Sequence, residues 1–225
     1  MAQDPIIEID PELKGKIRLV AVTAGGLSID AGENLWRVFQ PFCSELASRH
    51  DGLSLGEVPG IQAARQFYRA IGVDPTRVRP SSEALLKRVL KGRELYRINS
   101  LVDTLNYCSL SFMLPVGLYD LERITGDTIR LRKGAAGESF EGIRKDRVNL
   151  EGRYALFDEE GPFGSPTADS ERTSITCRTR CALTVIFAPS GIPPEELEEQ
   201  ARFTAAQIER FGGGNPHTRM GRTIG

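Results

Sequence analysis

Two amides and a carboxylate, Asn99, Asp103 and Asn106, fall within eight residues of an otherwise apolar stretch, INSLVDTLNYCSLSFMLPVGLYD over 98–120. Such groups are costly in an apolar setting unless they find internal partners or a ligand. On a helix they stand at i, i+4 and i+7, which is one face. That face can hold a small polar ligand, and Asp103 reads equally as a structural cap or buried pair. A second constellation is GPFGSPTADSERTSITCRT over 161–179. Its small residues let a ligand approach the backbone, and the N–H groups of such turns favour anions or oxyanions. Ser165, Asp169, Ser170, Thr173 and Thr176 supply side-chain partners, with Asp169 the local candidate for a water-orienting base. Taken alone, the segment reads also as a hydrophilic loop with a cap before a strand.

Other chemistries have less support. A closed zinc site needs four ligands, whereas the chain has two histidines, His50 and His217, and Cys177 and Cys181 lack a second ligand pair. No Ser or Cys is placed beside either His, so a catalytic triad is not indicated. Gly25-Gly26 and Gly212–Gly214 lack the context of a nucleotide loop. Cys108 reads as a buried small hydrophobe. No metal and no cofactor is implied.

At 225 residues the chain is long enough to bury a sizeable core, and 40% apolar with 26% charged residues is ordinary for a globular protein. The net charge of −1 gives no global pull toward nucleic acid, but the charge is unevenly spread. Residues 1–60 hold nine acids against five bases, and residues 65–97 hold nine bases against three acids. Arg77, Arg79, Lys87, Arg88 and Lys91 lie in that basic region, which is either a phosphate-facing patch or a solvated helix surface. No apolar run approaches the roughly 18 residues of a spanning helix. The acidic start, MAQDPIIEIDPE, is unlike a signal peptide, and four scattered cysteines predict reduced thiols in the cytoplasm.

The elements that must position these residues are mixed α and β. Lys16–Thr23 alternates as a strand. Asn34–Ala47 has helical spacing with a kink expected at Pro41, and Val58–Ile71 is a second helix stopped by Gly72. A third helix opens at Pro80-Ser81-Ser82-Glu83 with a hydroxyl N-cap and ends at Gly92. After Asp120 come short strands at Ile129–Arg132 and Tyr154–Asp158. Ser174–Ala188 carries the strongest strand signal. Pro193–Phe211 closes the fold as a helix, and 212–225 is expected to be a mobile tail with little to pack. The expected architecture is a single α/β (mixed α+β) domain over 1–211, a central mixed sheet flanked by helices.

The order of motifs over 80–120 resembles the B3/B4 module of the phenylalanyl-tRNA synthetase beta subunit. That module has a Ser-Pro-x-x-Leu helix, a Gly, an Asn-x-x-Val-Asp-x-x-Asn-Tyr segment, and a Pro followed by an aromatic-Asp pair. Here these appear as Ser82 to Leu86, Gly92, Asn99-Val102-Asp103-Asn106-Tyr107, Pro115 and Tyr119-Asp120. The following strand and Gly-Glu turn match Ile129–Arg132 and Gly137-Glu138, and the later Asp and glycine-rich turn match Asp158 and 161–170. The likeness covers about 70–190, and the ligase parts of the synthetase have no counterpart, so a free-standing B3/B4-like protein is expected.

In the synthetase this module hydrolyses tRNA(Phe) wrongly charged with tyrosine. The resemblance therefore implies a deacylase acting in trans on misacylated tRNA, with Asn99, Asn106 and Asp169 in the catalytic roles. Asp103, Gly117, Gly164, Ser165, Ser170, Thr173 and Thr176 would bind substrate. Arg77, Arg79, Lys87, Arg88 and Lys91, with Arg219 and Arg222 of the tail, would grip the acceptor arm. Two positions depart from the pattern: Gly117 stands where the bacterial synthetase has His, and Cys177 or Arg178 where it has Glu. A module that binds tRNA or an amino acid without chemistry, and a small acyl-ester hydrolase that never meets RNA, are the alternatives.

Overall fold

The computed structural model describes residues 5–143, 146–220 and 222–224, with only the backbone described for the last three. In chain order these form β1 (Ile6–Ile9), β2 (Ile17–Gly25), α1 (Glu33–Arg49), α2 (Ile61–Ala70), α3 (Ser81–Leu90) and α4 (Ser100–Phe112). There follow β3 (Val116–Asp120), β4 (Thr128–Lys133), β5 (Ser139–Glu141), β6 (Arg147–Asn149), β7 (Tyr154–Phe157), β8 (Pro162–Ser165) and β9 (Ala168–Asp169). β10 (Ala182–Pro189), α5 (Pro194–Phe211), β11 (His217–Met220) and β12 (Arg222–Ile224) complete the set. The mixed α/β class holds, but the strands divide into two main sheets instead of one. A six-stranded sheet has the order β12-β1-β4-β7-β8-β9, and a four-stranded sheet the order β11-β2-β10-β3, with β5–β6 a separate hairpin.

Strand β10 shows why the sheets stack. All eight of its residues are buried, so it must satisfy two faces. Leu183, Val185 and Phe187 point toward Ile7, Leu131, Leu156 and Phe163 of the larger sheet, with Phe67 and Tyr68 of α2 in the same cluster. The alternate residues Ala182, Ile186 and Ala188 pack on Leu101 and Leu105 of α4 and on Leu197, Ala201 and Ile208 of α5. Each fully buried side chain of this size contributes about 1.5–3 kcal/mol. Helices α4 and α5 therefore cover one face of the smaller sheet, and the larger sheet together with α2 covers the other. Among the described residues no helix is long and apolar enough to cross a membrane.

Several local expectations need correction. The strand expected over Ser174–Ala188 begins only at Ala182; the polar half forms turns because Thr176 and Thr179 bond to each other and to Asp120 in preference to a neighbouring strand. Helix α3 has Pro80 at its N-cap and no side-chain cap, since Ser82 Oγ donates to Met113 O at 3.2 Å. The segment after Gly212 has more to pack than expected. Ser28 N donates to Gly212 O at 3.1 Å and Asn215 N to Gly26 O at 3.2 Å, and β11 then pairs with β2 while β12 pairs with β1. Two glycine runs make this contact close: a Cβ on Gly213 would strike Ser28 O, and one on Gly214 would lie 2.6 Å from Gly26 O.

Glu83, in the first turn of α3, is 1% exposed. Arg65 of α2 meets it with a fork of two 2.8 Å bonds, and Arg79 adds a 3.3 Å bond from Nε. Burial pushes the carboxyl pKa up, but the two guanidiniums outweigh it and hold the group below its usual range. We predict that Glu83→Ala lowers stability by about 3 kcal/mol, because it strands Arg65 in a half-buried site. In wild type the carboxylate's contribution is full above the ordinary Glu range and declines as pH falls below it. Chemical denaturation at pH 7 and at pH 4 checks both, and the Glu83→Ala deficit is expected to be smaller at the acid end.

Candidate functional site

The free edges of the two sheets lie side by side: β3 ends the smaller sheet and β9 ends the larger. Between them sits a cavity of about 370 Å³, lined by Val116 and Gly117 of β3, Phe187 of β10, Tyr68 of α2 and the Ser165–Asp169 turn, with Arg79 and Ser81 at the start of α3. Its floor is apolar and its rim carries one cation and one anion, Arg79 and Asp169.

Local sequence explains each wall. Helix α4 ends at Met113, whose left-handed φ of 58° reverses the chain into Leu114-Pro115 and β3. Ser109 Oγ secures that reversal by donating to Leu114 O at 2.6 Å. The β8–β9 turn is organised by Ser165. Its Oγ accepts from Thr167 N at 3.2 Å and Ala168 N at 3.0 Å and donates to Ala168 O at 3.0 Å. The Thr167 and Ala168 N–H groups are thus already used by Ser165. Tyr68 clamps the same turn by donating its hydroxyl to Pro166 O at 2.6 Å.

Behind the cavity lies Tyr119, fully buried. Its ring meets Phe163 edge-on, with centroids 5.0 Å apart, and it passes over two glycines. A Cβ on Gly117 would collide with the Tyr119 hydroxyl and sit 2.8 Å from Cζ. A Cβ on Gly164, from the facing sheet, would collide with Cε1 and sit 2.7 Å from the hydroxyl. Gly117 is therefore a spatial requirement of Tyr119, two residues on along the same strand face. Burial pushes both phenols above their usual range, and the Asp169 carboxylate adds to the shift in each case. Asp169 is thus flanked by two tyrosines that stay protonated at neutral pH.

The structure brings Gly117, Ser165, Asp169 and Arg79 to this cavity and leaves the other sequence candidates elsewhere. Asn99 is the N-cap of α4, accepting from Val102 N at 2.9 Å. It stands at the far end of that helix from the β3 lead-in, about 20 Å along the axis. Asp103 is buried as a structural partner: Trp36 Nε1 donates to it at 2.9 Å and Ile98 N at 3.1 Å. Asn106, on the same helix, is half-buried and outside the cavity lining. Thr173 Oγ1 donates to Phe163 O, and Ser170 Oγ accepts from Arg172 N, so both shape the loop. Thr176 belongs to the turn tied to Asp120. Cys108 is buried, which pushes its thiol up to about 12 and leaves no thiolate at neutral pH.

Of the basic residues, Arg77 lies 3.7 Å from Asp74 on an exposed loop, and Lys87, Arg88 and Lys91 sit toward the C-terminal end of α3. Arg219 is on β11, at the opposite edge of its sheet from β3, three strand spacings or about 14 Å away. The Arg222 backbone lies in β12, also at the edge away from the cavity; its side chain lies outside the described residues. Sequence reasoning assigned no function to Tyr68, which its helical spacing placed in the core, or to Tyr119. The Gly117–Tyr119 spacing on a strand was the available signal for the latter.

Comparison with known proteins fits this geometry. The B3/4 domain family matches residues 63–208, and the chain belongs to that family. It is 30% identical over 154 residues to the phenylalanine–tRNA ligase beta subunit of Bartonella quintana, covering 68% of this chain and 17% of the ligase subunit. It is also 35% identical over 85 residues to the corresponding subunit of Streptococcus pneumoniae, 38% of this chain and 10% of that one. The chain thus spans less than a fifth of the length of these relatives. An N-terminal fragment of the phenylalanyl-tRNA synthetase beta subunit from Pyrococcus horikoshii shares the fold, with a TM-score of 0.53 over 99% of this chain and 52% of that one, at 13% identity.

The glycine cradle gives a direct test of the geometry. Gly117→Ala is expected to cost about 1–3 kcal/mol through overpacking against Tyr119. Tyr119→Phe in the same chain should recover part of that loss, because the hydroxyl is the nearest atom. Urea denaturation of the two single variants and the double variant supplies the cycle; purely additive losses would mean that the ring does not lie over Gly117.

Proposed function

We propose that the cavity between the sheet edges receives the aminoacylated 3′ end of a tRNA and hydrolyses the ester, removing a wrongly attached amino acid. The observation that carries this proposal is the meeting of Asp169, Arg79 and Gly117 around one apolar-floored cavity in a chain of the B3/4 family. An aminoacyl-tRNA end carries an α-ammonium, an ester and phosphates, and a rim with one anion and one cation suits that mixture. The apolar floor of Phe187 and Val116 would take the amino-acid side chain.

Hydrolysis of such an ester needs positioning and modest proton transfer, since the ester is already activated by the neighbouring ribose hydroxyl. Asp169 orients a water and takes its proton as the oxygen attacks the ester carbon; the C–O bond to ribose then breaks, and the ribose oxygen recovers a proton. Tyr68 and Tyr119 act as positioning residues that hold the turn and crowd Asp169. The start of α3, uncapped by any side chain and flanked by Arg79, presents positive potential toward a phosphate. The partner is tRNA and the setting the cytoplasm.

One observation favours a binding role without turnover. Gly117 supplies no polar group, and the turn amides are committed to Ser165, so hydrolysis rests on Asp169 with few helpers. Deacylation of tRNAs charged with different amino acids, beginning with Tyr-tRNA(Phe), separates the two. We expect wild-type turnover above the spontaneous rate, with Asp169→Asn reducing it about 10²-fold or more while circular dichroism is unchanged. Tight tRNA binding with no turnover on any charged tRNA would establish the binding role instead.

A further inference from the structure

Tyr96 lies in the Gly92–Ile98 segment that joins α3 to α4, where there is neither helix nor strand. It is 71% exposed, more than any other large hydrophobic residue described, and Ile98 beside it is 55% exposed. An aromatic ring left in water on a connecting segment lacks the packing that usually explains a tyrosine. The ten residues 88–97 carry Arg88, Lys91, Arg93 and Arg97 against Glu94, and Glu33 of α1 pairs with Arg97 at 3.7 Å, which leaves the other three bases in excess. The Arg88 guanidinium lies 4.3 Å from the Tyr96 ring centroid and is fixed there by donating to Glu94 O at 2.7 Å from Nη2. One face of the ring is therefore backed by a cation, and the other meets solvent. Behind the segment lies a cavity of about 220 Å³ lined by Trp36, Gln40, Arg93 and Arg97, where the Arg97 guanidinium covers the buried Trp36 ring at 4.8 Å.

We propose that this segment is a stacking platform for single-stranded nucleic acid, with Tyr96 holding a base and the surrounding arginines and Lys91 tracking phosphates. Exposed aromatics interleaved with cations suit single strands, because every base has a stacking face and every linkage a charge. The place of the platform strengthens the assignment. Ser81, Ala84 and Arg88 of α3 and its C-cap Lys91 stand at i, i+3, i+7 and i+10, which is one helix face. That face begins at the cavity wall with Ser81 and ends, about 15 Å along the axis, at the Tyr96 segment. A strand whose terminal residue enters the cavity would run along α3 and place an upstream base on Tyr96. Given the deacylase reading, on which this placement rests, the strand is the unpaired 3′ end of the tRNA.

Fluorescence anisotropy with a labelled single-stranded RNA ending in CCA, and with uncharged tRNA, tests the platform. Base–aromatic stacking of about 1–3 kcal/mol predicts that Tyr96→Ala weakens binding at least about fivefold, whereas Tyr96→Phe binds within about twofold of wild type. Raising the salt should weaken the wild type steeply, and Arg93→Ala should shallow that slope. If Tyr96→Ala binds as well as wild type, or if a poly-glutamate peptide competes as effectively as the RNA, the platform is ruled out. Deacylation by the same wild-type preparation keeps the two readings apart. Turnover without any effect of Tyr96→Ala overturns the platform alone, and neither turnover nor RNA binding overturns both.

Discussion

The two sheets of this protein have to be joined where each runs out of strands, and Tyr119 supplies the join. Its ring starts from β3, crosses Gly117 on its own strand, lies against Gly164 on the facing sheet and meets Phe163 edge-on. A Cβ at either glycine would overlap the ring as it stands. The β8–β9 turn, the Asp169 carboxylate and the cavity floor are all placed relative to that ring. Tyr68 secures the same turn from α2, so two buried phenols lie close to a single carboxylate.

A second constraint sets the charge of the site. Glu83 is buried and would be intolerable without partners. Its two arginines come from α2 and from the approach to α3, so its pairing locks those elements together and leaves Arg79 at the cavity rim. The cation in the site is thus held by a structural ion pair, which limits its movement.

Much of this was legible in the sequence, for identifiable reasons. Helices α2, α3 and α5 follow from apolar spacing with Gly72 and Gly92 as stops, both at positive φ. The glycine-rich 161–170 segment and Asp169, which line the cavity wall, had been picked out from composition and order of motifs. The Asn99–Asp103–Asn106 face lies away from the cavity beside Asp169. Its residues share a helix face, but the helix cap and the partnership with Trp36 consume two of them, and a cap or a buried pair looks the same as a ligand site until the partner 67 residues away is known. Ser174–Thr179 failed as a strand because its hydroxyls bond locally. The contacts of the segment after Gly212 were not read because glycine runs distant in sequence can pack backbone to backbone, and no periodicity reports that.

The claim on which the functional account turns is that the cavity beside Asp169 is where the aminoacyl ester sits. Binding of an adenosine carrying an amino acid through a 3′-amide, a stable stand-in for the ester, measures this directly when followed residue by residue with amide NMR shifts. The account predicts saturable one-to-one binding with the largest shifts at Gly117, Thr167, Ala168 and Asp169, and its loss in Asp169→Ala. Shifts centred on Asn99 and Asn106 at the two-amide face of α4, with those cavity amides unmoved, would contradict it.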